Sequence, residues 1–170
     1  MVGRARRARR HDKFPFSRMS PSNPTTKPYR KLLSHETPSW VSPGAVYFIT
    51  ICTSLRGINR LCNLELADRI WASALHRQEI KQWWIHIFLL MPDHLHALMS
   101  FSPNPGMQLS IASWKRYLSR HEHISWQRDF FDQRLRAEDN FIAKANYIRE
   151  NPVRSGLIEA GDPWPYVWPK

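Results

Sequence analysis

The chain is short of cysteine, of acidic residues and of long apolar runs, and each shortage excludes a class of protein. Two cysteines, Cys52 and Cys62, are too few for a disulfide framework or a cysteine-based zinc site. No run of roughly 18 apolar residues exists to span a bilayer. The basic N-terminus also lacks the apolar segment of a secretory signal, so the expectation is a cytoplasmic, nucleoid-associated protein with no membrane partner.

What is present is apolar and aromatic mass: 170 residues, 42% hydrophobic, with eight tryptophans, enough for one domain with a real core. Charge is unevenly spread. Residues 1–44 carry ten Lys/Arg against two acids, and residues 45–170 carry fifteen against twelve. The first stretch also holds six of the thirteen prolines and almost no apolar periodicity, so it cannot offset the entropy of becoming ordered. It is expected to be a disordered basic tail, and residues 45–170 the folded domain. The cluster Arg4, Arg6, Arg7, Arg9 and Arg10 suits phosphate backbones bound without sequence readout. The same composition also fits a solubilising leader or an organellar transit peptide.

The folded part begins with Val46-Tyr47-Phe48-Ile49-Thr50-Ile51-Cys52-Thr53, β-branched and aromatic, which predicts a strand. Leu64, Ala67, Ile70, Trp71, Ala74 and Leu75 recur at helical spacing, predicting an amphipathic helix over residues 64–81. The nearly continuous apolar run 83–91 predicts a central strand covered on both faces. Pro92-Asp93 turns it into a second strand over 94–101. A second helix is expected over 110–123, an aromatic-rich strand or loop over 126–135, and a third helix from Glu138 to Asn151, stopped by Pro152. The order β, α, β, β, α, β, α predicts an α+β fold, an antiparallel sheet with helices on one face.

In the strand His94-Leu95-His96-Ala97-Leu98-Met99, alternation puts His94, His96 and Leu98 on one face and Leu95, Ala97, Met99 and Phe101 on the other. Two imidazoles two residues apart, roughly 6.5 to 7 Å between Cα atoms, can converge on one divalent cation. Such a pair is also found as a simple surface or hydrogen-bonded pair. On the third helix, Phe141, Ala145 and Ile148 form an apolar stripe, with Asn140, Lys144, Tyr147 and Asn151 on an adjacent polar one. Tyr147 reads either as a core-edge aromatic or as a functional phenol. If its stripe faces the histidines, His94, His96 and the amide oxygen of Asn151 are the candidate metal ligands, with Tyr147 one turn away.

Three segments together, Met91-Pro92-Asp93-His94-Leu95-His96, Trp126-Gln127-Arg128-Asp129-Phe130-Phe131-Asp132-Gln133-Arg134 and Tyr147-Ile148-Arg149-Glu150-Asn151-Pro152-Val153-Arg154-Ser155-Gly156-Leu157, resemble REP-associated tyrosine transposases, single-tyrosine relatives of the HUH transposases. The resemblance runs from about Ala45 to Trp168. It implies a ferredoxin-like or RRM-like sheet, with His94 and His96 as the HUH pair, Tyr147 as nucleophile and Asn151 as third metal ligand. It also implies Mg2+ or Mn2+ as cofactor, and a DNA hairpin of the repetitive extragenic palindrome type as partner. The implied chemistry is nicking of single-stranded DNA and strand transfer through a 5′-phosphotyrosine. Asp93 departs from the asparagine common at that position, and residues 1–44 extend the usual short start.

Candidate DNA contacts are Lys115, Arg116 and Arg120, which with His121 and His123 bracket Trp114 and Tyr117. Arg134 and Arg136 beside the site, Lys144 on the third helix and Arg154 beyond its expected end complete the set. A solvated basic helix face explains the first group equally well. Trp126, Phe130 and Phe131 are expected in the core, as is a hydrogen-bonded His86. Residues 164–169 either cap the core or touch DNA. A non-catalytic DNA-binding protein derived from a transposase is the alternative reading. An RRM-type RNA binder would want aromatics where His94 and His96 stand. No heptad or interface patch decides between monomer and homodimer.

Overall fold

The computed structural model describes residues 44–136 and 138–169; the arginine cluster at positions 4–10 lies outside them. The elements run β1 (Val46–Cys52), α1 (Leu64–Glu79), β2 (Trp83–Met91), β3 (His94–Phe101), α2 (Met107–His121), β4 (Phe131–Arg134), α3 (Glu138–Arg154) and β5 (Val167–Trp168). The strands form one antiparallel sheet in the order β4-β1-β3-β2-β5, with β3 at its centre. The predicted order of elements holds. The short fifth strand was hidden in the sequence by the flanking prolines 163, 165 and 169.

The sheet is covered on both faces. Tyr47, Ile49, Ile51, Leu95, Ala97 and Met99 pack under α1 and α2, through Ile70, Trp71, Ala74, Ile111, Trp114 and Leu118. α1 and α2 thus occupy one face as expected. α3 instead crosses the opposite face, laying Ala145 and Ile148 on Phe48, Ile87, Leu89, Met91 and Leu98. β2 alternates between the two cores as any strand does, but its pairing with β3 shifts between Ile85 and Ile87, which inverts the alternation from that point. The extra residue, His86, makes a bulge that sends Phe88 and Leu90 to the α1/α2 side and Ile87, Leu89 and Met91 to the α3 side. His86 is half-buried, and its Nε2 meets Ser100 Oγ at 3.1 Å.

Pro152 does not stop α3, which runs on to Arg154. Proline lacks a donor, yet this close to the helix end its ring is buried against the fold and only one intrahelical bond is forgone. The helix ends at Gly156, whose φ of 66° is left-handed. The Leu157 amide donates to Pro152 O and the Gly156 amide to Val153 O, each at 2.9 Å, the paired closure of a Schellman motif. The extra turn matters for the site, because it places Arg154 seven residues beyond Tyr147, on the same stripe.

One of the expected DNA contacts, Lys115, turns out to be structural, as does the tryptophan beside it. Trp114 is almost fully buried between α2 and the sheet, its indole Nε1 donating to Ser73 Oγ at 2.9 Å. Lys115 is buried too; its Nζ donates to the carbonyls of Gln127 (2.7 Å) and Arg128 (2.8 Å), pinning the segment ahead of β4 to α2. Sequence periodicity marks both positions as helical, but only the packing shows which face turns inward. Replacing Lys115 with Met keeps the apolar stem and removes both charged donors. Stability is expected to fall by about 1–3 kcal/mol with hairpin affinity unchanged, as read by urea unfolding and fluorescence anisotropy.

Phe131 is another correction: it stands half-exposed at 49% on β4, while Trp126 and Phe130 pack on the main core as expected. The C-terminal residues are packed against the domain. Trp164 Nε1 donates to Leu90 O at 2.9 Å, the Leu90 amide donates to Tyr166 O at 2.9 Å, and Trp168 reaches the main core. No described helix is long and apolar enough to cross a membrane.

Candidate active site

β3 delivers His94 and His96 to the face that α3 crosses, where their rings lie 4.7 Å apart at 79°. Each Nδ1 has a partner of its own. His94 Nδ1–H donates to Asp93 Oδ1 at 2.7 Å; a carboxylate only accepts, so Nδ1 carries a proton and Nε2 is the ring nitrogen left for a ligand. His96 Nδ1 lies 2.8 Å from Thr50 Oγ1, its cross-strand neighbour on β1, a hydroxyl able to accept from an Nδ1–H and so leave Nε2 as the free ring nitrogen. Asp93 is itself held: Oδ2 accepts from the Gly57 amide at 2.6 Å and lies 3.3 Å from Arg56 Nε. Burial opposes the Asp93 charge, but the Gly57 amide, His94 and Arg56 outweigh it and hold the carboxyl below its usual range. The residue that departs from the transposase pattern is thus the one that orients His94.

Tyr147 faces these imidazoles from α3, its ring 6.1 Å from that of His96 and 6.0 Å from that of Phe48, which in turn stacks on His96 at 5.3 Å. The aromatic cluster locks the phenol ring in place and leaves it half-buried. Two cations flank it: Lys144 Nζ lies 5.3 Å and the Arg154 guanidinium carbon 4.9 Å from the ring centre. Asn151, one turn beyond Tyr147, is buried, and its Oδ1 receives the Ser155 hydroxyl at 3.4 Å.

Among the described residues no cluster of three His, Cys, Asp or Glu side chains could hold a metal. Two imidazoles with tethered Nδ1 atoms are nonetheless donors of the kind a divalent ion takes, and an amide oxygen such as that of Asn151 is a hard third donor of the kind Mg2+ and Mn2+ accept. Burial, followed by the charges of His94, Arg56 and Lys144, pushes the His96 imidazole down to about 3. It is therefore neutral at pH 7, as a ligand must be.

That shift has a sign for stability. Between the ordinary value of 6.5 and about 3, the unfolded chain takes up a proton at His96 that the folded chain refuses. Stability is therefore expected to fall as pH drops through this window, with burial of His86 adding in the same direction. Urea unfolding from pH 7 to pH 4 checks this, and His96→Gln should flatten the slope.

The structure brings His94, His96, Tyr147, Asn151, Lys144 and Arg154 to one face. It does not bring the other candidates there. Arg134 pairs with Tyr47, so its side chain leaves from the α1/α2 face, and Arg116 and Arg120 are exposed on α2. Arg136 is exposed just past β4. Phe131, Gln133 and Phe48 line the site face instead, by their register with Thr50, Phe48 and Leu98. Thr50 and Phe48 escaped sequence reading, although their even spacing on β1 was a usable signal once the β1–β3 register was known.

An antiparallel α+β sheet with this pair of histidines opposite a helix-borne tyrosine is the architecture that the motifs imply. The fold is matched by the solved structure of a REP-associated tyrosine transposase bound to a REP hairpin, with a TM-score of 0.65 over 78% of this chain and 81% of that one, at 18% identity. In sequence, a Haemophilus influenzae protein with the provisional name REP-associated tyrosine transposase is 29% identical over 94 residues, 45% of this chain. The match spans about half of that relative's length, 53%. A Deinococcus radiodurans R1 structure, provisionally assigned as a transposase, aligns at a TM-score of 0.43 and 17% identity over 68% of this chain and 95% of that one. No protein-family model matches the sequence. The chain is thus similar, in sequence and in fold, to the transposases its motifs resemble.

Proposed function

We propose that the chain is a tyrosine transposase of the REP-associated type, a metal-dependent single-stranded DNA endonuclease and strand transferase that acts on hairpin DNA. The observation that carries this reading is the apposition of Tyr147 to His96, 6.1 Å between rings, with Lys144 and Arg154 on either side of the phenol. The similarity to REP-associated transposases, one of them solved with its REP hairpin, supports the choice of DNA as substrate.

In the proposed reaction Tyr147 Oη attacks a backbone phosphorus as the bond from phosphorus to the 3′-oxygen breaks. The phenol gives up its proton to solvent, and the departing oxygen takes one up as a 3′-hydroxyl. The product is a 5′-phosphotyrosine, in which one phosphodiester replaces another, so attack by a second 3′-hydroxyl regenerates the phenol and joins the strands. Lys144 and Arg154 offset the negative charge that the phosphate brings, and the Phe48 ring keeps the phenol from swinging away. His94, His96 and Asn151 would hold Mg2+ or Mn2+, which when bound supplies Lewis-acid neutralisation of the phosphate oxygens.

The test is incubation with 5′- and 3′-labelled single-stranded hairpin DNA under Mg2+, Mn2+ or EDTA, followed by denaturing gels and peptide mass spectrometry. A metal-dependent nick with a DNA adduct on Tyr147 is the expected result. Binding with no adduct across several hairpins and both metals would reduce the protein to a DNA-binding derivative of a transposase.

A further inference from the structure

The α1/α2 face, across the sheet from Tyr147, carries a groove of about 650 Å³ lined by Arg69, Ser73, His76, Arg77, Gln82 and Tyr117 among others. Arg77 is half-buried there. Its Nη1 donates to Gln82 Oε1 at 2.7 Å and to Ser113 Oγ at 2.9 Å, and its guanidinium carbon lies 5.7 Å from the centre of the Trp83 ring. These contacts fix the plane of the fork while occupying only one of its nitrogens. Among the described residues no carboxylate pairs with Arg77, and the Nε/Nη2 edge has no hydrogen-bond partner. The acids nearby are already engaged: Glu122 is bound by Arg69 at 2.7 Å, and Glu79 lies 3.7 Å from His76.

A guanidinium held by one nitrogen and open along the opposite edge is prepared for bidentate contact with an oxyanion. The groove's rim adds a second kind of recognition. Tyr117 is 42% exposed, and its ring lies 4.5 Å from that of His121 at a tilt of 35°, which leaves an aromatic pair at the surface. α2 contains no acidic residue from Met107 to His121, and Arg116 and Arg120 are exposed beside this pair. An anion-binding edge, an exposed π-face and a basic, acid-free helix surface in one place suit a strand whose bases are free to unstack.

We propose that this groove is a second nucleic-acid site, binding single-stranded DNA away from the cleavage centre, with a backbone phosphate on the Nε/Nη2 edge of Arg77 and a base stacked on Tyr117. A strand held there is on the opposite side of the sheet from Tyr147, so the site contributes grip on flanking DNA and takes no part in the chemistry. The assignment stands apart from the proposed transferase reaction and survives its failure.

The experiment uses the full chain carrying Tyr147→Phe, so that cleavage does not interfere, and a fluorescein-labelled dT12 strand with a 5-iododeoxyuridine for photo-cross-linking. Cross-linked peptides from α2 containing Tyr117 are expected. Tyr117→Ser should weaken binding about tenfold, and Arg77→Gln should weaken it and lower the salt slope by about one. Cross-links confined to β3 and α3, or unchanged affinity and salt slope in both variants, would overturn the proposal. Competition by millimolar inorganic phosphate as effective as by unlabelled dT12 would overturn it as well, by marking a simple anion site. If Arg77→Gln does not fold by circular dichroism, the exposed Tyr117→Ser variant and the cross-link map decide.

Discussion

Tyr147→Phe is expected to lower hairpin nicking by at least about 10³-fold, the scale on which losing a nucleophile is felt, while fold and DNA affinity stay as they are. The phenylalanine keeps the edge-on contacts with Phe48 and His96 and still lies beneath Lys144 and Arg154. Only the hydroxyl is lost, and that hydroxyl has no hydrogen-bond partner among the described residues, so no structural bond goes with it. The clean comparison is a denaturing gel on labelled hairpin beside fluorescence anisotropy with the same DNA in EDTA. Residual nicking at the wild-type rate would sink the nucleophile assignment. A parallel loss of binding would instead show that the phenol is a substrate contact.

The second large effect is on stability. Trp114→Ala is expected to cost about 3–5 kcal/mol, enough to unfold a marginal domain. The indole is 1% exposed and meets the Trp83 ring at 5.5 Å and the Phe88 ring at 5.8 Å, both edge-on. Its Nε1–H bond to Ser73 joins α2 to α1, so truncation opens a cavity where three elements converge and leaves the hydroxyl short of a partner. Thermal or urea unfolding reads this out directly. A loss below about 1 kcal/mol would mean that the site collapses around the alanine or that the ring is not the keystone of this layer. Trp114→Phe should recover much of the loss, since it restores the edge-on aromatic packing without the indole bond.

A bearing on mechanism follows from the two-sided sheet. Among the described residues α3 is the one helix on the site face, and it meets the sheet through Phe141, Ala145 and Ile148. The site therefore depends on how α3 seats, more than on the α1/α2 core beneath. Its seating is reinforced by Phe141 edge-on to His86 at 5.5 Å, so the bulge that inverts the alternation of β2 also helps to position the tyrosine helix.

Local rules carried the sequence a long way. Alternation in β3 separates His94 and His96 from Leu95, Ala97 and Met99, and helical spacing in α3 separates the Tyr147–Asn151 stripe from Phe141, Ala145 and Ile148; both divisions stand in the fold. The elements up to β4 were legible for the same reason, because apolar period and turn residues are local properties. What local rules cannot contain is which face meets which partner. Lys115 and Arg116 are adjacent basic residues on one helix, yet the first is buried on two carbonyls and the second is exposed, because α2 rolls one side onto the sheet. Pro152 reads as a stop, yet the Schellman closure at Gly156 carries α3 on to Arg154 and sets that cation over Tyr147. By itself the sequence determined the types and faces of the elements that bear the histidines and the tyrosine. The side of the sheet that receives α3, the partners that aim each imidazole and the burial of Lys115 were decided by tertiary packing, because each depends on contacts between segments far apart in the chain.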